Sequence, residues 1–99
     1  MRLNPLQIRS IREIAAEYAG KGARIRVFGS RVDDAARGGD LDLMIELDDA
    51  VANPVLLAAR IAARVSRSLH GRKVDVLISA PNLRRLPIHD VAFREGVLI

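Results

Sequence analysis

Cysteine is absent from the 99 residues, which removes disulfide frameworks, thiolate catalysis and sulfur-based structural zinc sites. Aromatic side chains are almost as scarce. Tyr18, Phe28 and Phe93 are the whole supply, and tryptophan is missing, so there is little material for stacking successive bases of a single strand. No apolar run approaches a membrane-spanning length, and the opening Met1-Arg2-Leu3-Asn4-Pro5 lacks the uninterrupted apolar stretch of a secretory signal. Lys21 and Lys73 are the only lysines among sixteen basic residues, the rest being arginine. A Gly-x-x-x-x-Gly-Lys phosphate loop does not occur. These absences leave a cytoplasmic protein without membrane attachment as the expectation.

What is present fits one compact domain, because a chain this short holds a single core and no second one of ordinary size. The composition, 49% hydrophobic with 28% charged, is that of a soluble globular protein. The formal charge of +4 and the pI near 10.6 predict an anionic partner without choosing between nucleic acid, a triphosphate and an acidic protein.

Apolar spacing divides the chain into alternating elements. Ile11, Ile14, Ala15 and Tyr18 recur at helical intervals and predict a helix over Pro5 to Tyr18, ended by Gly20 and Gly22. Arg24 to Phe28 alternates and reads as a strand. Ser30 to Ala36 reads as a short helix or turn, and Arg37-Gly38-Gly39 gives freedom to re-enter the sheet. From Asp40 to Leu47 the odd positions are apolar and the even ones are Asp40, Asp42, Met44 and Glu46, which predicts a strand with a core face and an acidic face. Asn53-Pro54 opens a helix that runs to Leu69 before Gly71. Lys73 to Ile78 is a third strand in which Asp75 interrupts an apolar run. A proline-flanked loop, Ser79 to Leu86, then precedes a closing helix near Pro87 to Glu95.

Three features of this pattern carry chemistry. At Gly29-Ser30 a strand runs into a helical turn, where unpaired backbone N–H groups point outward, glycine lets a phosphate approach, and the serine hydroxyl adds a donor. An ordinary turn with Ser30 as helix cap accounts for the same dipeptide. Asp40 and Asp42 project from one strand face, close enough to share a cation such as Mg²⁺, which favours carboxylates and substrate phosphate oxygens. A solvated strand edge is the competing account. Asp75 is a charge expected to need a partner, whether a metal or an arginine. Arg31, beside the phosphate turn, is a candidate phosphate contact. Arg60, Arg64 and Arg67 share one helix face, read as a solvated one. His70 and His89 stand apart, and Asp33-Asp34 and Asp48-Asp49 are adjacent acids near turns, better explained by capping and solvation than by ligation.

The order of strand, Gly29-Ser30, nine residues, Asp40-Leu41-Asp42, helix, and a strand bearing Asp75 resembles the minimal nucleotidyltransferases of the DNA polymerase beta superfamily. The resemblance covers most of the chain. It implies an α/β (α+β) nucleotidyltransferase fold, a small mixed sheet with helices packed against it. It also implies that Gly29, Ser30 and Arg31 bind the nucleoside triphosphate, ATP by preference, and that Asp40, Asp42 and Asp75 hold Mg²⁺ and act in catalysis, Asp75 by helping to activate the acceptor hydroxyl. The residue before Asp40, often serine in such proteins, is Gly39, and the additional domain of larger relatives is not expected within these 99 residues. Small proteins of this kind resemble antitoxins that neutralise a helical HEPN toxin by binding it and adenylylating a tyrosine. Two alternatives stand beside that expectation: an antitoxin that works by binding alone, and nucleotidyl transfer to RNA or a small molecule.

Overall fold

A computed structural model describes residues 3–29 and 40–99. The elements follow in the order α1 (Pro5–Ala19), β1 (Arg24–Phe28), β2 (Leu41–Glu46), α2 (Pro54–Ser68), β3 (Val74–Ser79), α3 (Pro87–Glu95) and β4 (Val97–Leu98). The four strands make one sheet in the order β3-β2-β1-β4. β1 runs antiparallel to both β2 and β4, whereas β2 and β3 are parallel across the α2 crossover. The expected mixed sheet with packed helices is therefore the architecture found. The turn expected over Ser30 to Ala36 lies outside the described residues.

Helix starts are set by short sequence signals. Asn4 caps α1: its Oδ1 accepts from Gln7 N at 2.8 Å, and the Gln7 side chain accepts from Asn4 N at 3.0 Å, with Pro5 in the first turn. Asn53 caps α2 without the reciprocal bond, its side chain accepting from Leu56 N at 3.1 Å. The end of α2 is a Schellman turn, in which Gly71 N donates to Ser66 O at 2.8 Å and His70 N to Arg67 O at 3.3 Å. The left-handed position of that turn, φ 60°, is held by His70. A histidine at a helix C-terminus is favoured by the dipole, but this backbone conformation is one that glycine adopts more cheaply.

The two faces of the sheet are covered unequally. Odd-numbered residues of β1 and β2, among them Ile25, Val27, Leu41, Leu43 and Ile45, meet Val74 and Ile78 of β3 and pack under Ile11, Ile14 and Ala15 of α1 and Ile61 and Val65 of α2. This is the main core. Truncating one of its fully buried side chains to alanine removes about 2–5 kcal/mol in proteins generally.

On the opposite face α3 lies over a smaller cluster of Phe28, Met44 and Ala92, flanked by Leu77 and Phe93. Met44, read from alternation as a member of an acidic face, is fully buried there. The alternation placed it on the correct side of the strand. A second layer covers that side, which a pattern within one strand does not reveal. Arg26 and Arg85 bracket the Phe93 ring, with guanidinium carbons 4.8 and 4.5 Å from its centroid.

β4 was not expected from the sequence. Its two residues are too few for an alternation signal, and pairing with Arg26 and Val27 makes it a strand. Among the described residues, no helix is long and apolar enough to cross a membrane.

Candidate functional site

Strand register brings the acids together. β1 and β2 pair Phe28 with Asp42, and β2 and β3 pair Asp42 with Asp75, so Phe28, Asp42 and Asp75 form one row across the face that carries α3. Two carboxylates directly abreast in neighbouring strands repel each other, and a pair of hard oxygen donors in that arrangement suits a cation such as Mg²⁺, which takes one or two carboxylates and completes its shell from water and substrate.

Gly29 continues β1 immediately beyond this row, with φ 71°. A Cβ added there would collide with the Asp42 carboxylate. Glycine is required twice over: by the left-handed backbone, and by the approach of an acid to the main chain. Ser30 and Arg31 lie outside the described residues, so the structure places only the glycine of the proposed phosphate turn.

Asp40 precedes β2, and its Oδ2 lies 3.5 Å from Lys73 Nζ. Lys73 stands two residues before Asp75 as Asp40 stands two before Asp42, and Leu41 N donates to Lys73 O at 3.0 Å. One face of the paired strands thus reads Asp-x-Asp beside Lys-x-Asp. Among the described residues, no three His, Cys, Asp or Glu side chains are grouped to hold a metal ion. The geometry brings Asp42 and Asp75 together and gives Asp40 a lysine contact.

A charge inside an apolar strand was expected to need a partner, whether a metal or an arginine; Asp75 is exposed, so burial makes no such demand on it. Among the described residues β3 is the outer strand of the sheet, and α3 packs over Phe28 and Met44 with Leu77 alongside. Beside the acids is a pocket of about 380 Å³, walled by Phe28, Leu77, Ile88 and Val91. A larger cleft of about 520 Å³ lies between α1 and β1, lined by Ile8, Arg9, Arg12 and Lys21, and contains none of the candidate residues.

At the other end of the same sheet face is an ion-pair network. Arg24 Nε is 3.0 Å from Glu46 Oε1, Arg24 Nη2 is 2.8 Å from Asp48 Oδ1, and Arg26 Nη1 is 2.8 Å from Glu46 Oε1. The hydrogen bond from Arg24 holds the Glu46 carboxyl below its usual range against the opposing effect of burial, with Arg26 assisting. Asp48 is lowered by the same guanidinium. This network closes the β1–β2 end of the sheet and places Asp48 in an ion pair rather than in simple solvation.

His89, which nothing in the sequence singled out beyond its isolation, is buried at 4% exposure. Leu86 N donates to its Nδ1 at 2.9 Å, so Nε2 carries the proton and donates to Ile78 O at 2.9 Å. Leucine has no acceptor to complete a reciprocal cap, and the histidine alone serves the start of α3 while tying it to β3. A histidine three residues into a proline-led helix was the available signal.

The nucleotidyltransferase domain model matches residues 8–98. No curated protein matches the chain. A solved structure described as a toxin–antitoxin with AMP-PNP superposes with a TM-score of 0.68, over 97% of this chain and 72% of that one, at 18% identity, a likeness of fold. With the domain model spanning nearly the whole length and the strand order in place, the chain belongs to the nucleotidyltransferase domain family.

Proposed function

We propose that this single domain is a cytoplasmic, Mg²⁺-dependent nucleotidyltransferase that moves AMP from ATP to a hydroxyl of a protein partner, a tyrosine of a HEPN-type toxin, and so acts as its antitoxin. The observation that carries the reading is the row of Asp42 and Asp75 beneath a glycine that has no room for a side chain. Family membership supports the transfer chemistry. The fold shared with a toxin–antitoxin structure containing AMP-PNP supports the choice of nucleotide and partner.

In this reading Gly29, Ser30 and Arg31 receive the triphosphate, and Asp40, Asp42 and Asp75 are the metal ligands. Bound Mg²⁺ supplies charge neutralisation for the phosphates and the leaving pyrophosphate. The chain's own work is placement. Gly29 admits the phosphates close to the main chain, above Asp42. Asp75, on the outer strand, faces the incoming acceptor and takes its proton as the oxygen attacks the α-phosphorus. The bond from that phosphorus to pyrophosphate breaks, and pyrophosphate departs on the side opposite the acceptor.

One observation favours a second reading, an antitoxin that acts by binding alone: Lys73 lies 3.5 Å from Asp40 and competes with a metal for that carboxylate. The two readings separate when α-labelled ATP, Mg²⁺ and the co-purified partner toxin are combined. Label on the toxin, lost with Asp42→Asn, supports transfer. Protection of growth with no label under any nucleotide or divalent ion supports binding alone and removes the enzymatic reading.

A further inference from the structure

The pocket beside the acids has carbon walls. Phe28, 7% exposed and packed on Met44 and Ala92, forms its base. Leu77 continues from Asp75 along β3, and Ile88 and Val91 of α3 close the side, with Ile88 keeping 44% of its surface open. Among the described residues of the lining, Asp42 and Asp75 carry the only polar side chains. The wall is also fixed in place. Residue 88 directly precedes His89, whose hydrogen bonds to Leu86 N and Ile78 O tie α3 to the strand that bears Asp75.

We propose that Ile88 and Val91 are specificity-determining residues of the acceptor subsite, selecting a hydroxyl carried on an apolar ring over one carried on a sugar. The inference rests on the transfer reaction proposed above. In-line displacement puts the attacking oxygen opposite the leaving pyrophosphate. Phosphates held at Gly29 therefore leave the Asp75 side for the acceptor, and the pocket that Ile88 and Val91 wall extends to Asp75.

A sugar placed there would set several hydroxyls against methyl groups, with two carboxylates as the sole side-chain acceptors among the described residues of the lining, and each hydroxyl left unpaired weakens binding. A phenol brings one hydroxyl, which meets Asp75, and a ring whose apolar faces are covered by Phe28, Ile88 and Val91. The fit is one of chemistry rather than volume.

The test has a binding arm and a kinetic arm. With methyl-labelled protein, Mg²⁺ and a non-hydrolysable ATP analogue, N-acetyl-tyrosinamide is expected to shift the Ile88 and Val91 methyl resonances upfield, while an adenylyl-adenosine dinucleotide at the same concentration leaves them in place. Equal shifts with the dinucleotide, or none with the tyrosinamide at millimolar concentration, overturn the inference. In the kinetic arm a tyrosine peptide and α-labelled ATP are used. Ile88→Asn, at an exposed position that tolerates a polar group, is expected to raise the acceptor KM about tenfold and to leave the KM for ATP within about twofold, with Val91→Thr acting in the same direction. An increase confined to the KM for ATP assigns the wall to the nucleobase and overturns the proposal, as does an unchanged acceptor KM. Should the parent protein transfer to neither probe, the transfer reading itself fails, and the methyl shifts still decide whether this wall recognises a phenol.

Discussion

Lys73 Nζ stands 3.5 Å from Asp40 Oδ2, just ahead of the step at which Asp42 and Asp75 face each other across the parallel ladder. A cation so placed competes for the carboxylate that a metal would use. Exposed pairs of this kind are weak, so the competition is modest. Lys73→Gln is expected to tighten binding of Mg²⁺–ATP by about twofold to fivefold in titration calorimetry. Weaker binding by the variant would mean that Lys73 contacts the triphosphate itself.

Asp75→Asn separates chemistry from structure. The side chain is exposed on an outer strand, so its change to the isosteric amide should leave unfolding within about 0.5 kcal/mol of the parent. Label transfer from ATP should fall about a hundredfold or more if the carboxylate takes the acceptor proton. Parent-level transfer by a folded variant would exclude that role.

Gly29→Ala tests the close approach at the end of β1. The new Cβ meets Asp42, and the residue must keep φ near 71°. The expected cost is about 2 kcal/mol in urea unfolding, together with loss of triphosphate binding. A variant as stable as the parent would show that the turn can relax away from the acid.

These outcomes depend on features that differed in how readily the sequence disclosed them. The strand from Arg24 to Phe28 and the helix from Pro87 to Glu95 have the ends that alternation, glycine and proline mark, and β2 and β3 differ from expectation by a residue at each end. Such signals are local. The adjacency of Asp42 and Asp75 depends on the pairing of two strands separated by a helix, and only the resemblance to a known arrangement anticipated it. The exposure of Asp75 follows from strand order, which puts β3 outermost and is not written within the strand. Met44 and His89 owe their burial to α3 crossing the second face, a cover that alternation in β2 and the isolation of a histidine do not announce.

Acid should expose the Arg24 network. The hydrogen bond from Arg24 depresses the Glu46 and Asp48 carboxyls in the folded state. Stabilisation by a depressed acid is fully present above its unfolded value, about 4.3 for glutamate and 3.9 for aspartate, and disappears as pH falls through the lower folded value. Arg24→Gln should therefore melt at a lower temperature than the parent at pH 7, and the gap should close progressively below about pH 4. A gap independent of pH, followed by circular dichroism, would assign the loss to packing of the arginine stem instead.

His70→Gly is expected to stabilise the protein. The residue holds the left-handed position of the α2 Schellman turn at φ 60°, where a side chain costs about 1 kcal/mol relative to glycine. The melting temperature should rise by about 4–8 °C. No rise would mean that the imidazole makes a compensating contact in solution.

The ladder between β2 and β3 also bears on how such a protein can diverge. Main-chain hydrogen bonds keep Asp42 and Asp75 abreast, at a spacing common to all paired strands. Exchanging one apolar residue for another in the interior changes how firmly the chain holds together, and leaves the positions of the acids to the backbone. A lineage can replace much of its core in this way and keep the same row of carboxylates. A single residue inserted within either strand is another matter, because it would turn one acid to the opposite face, toward the helices α1 and α2. Among descendants, substitutions should accumulate throughout the strands, while insertions and deletions should be confined to the connections between elements.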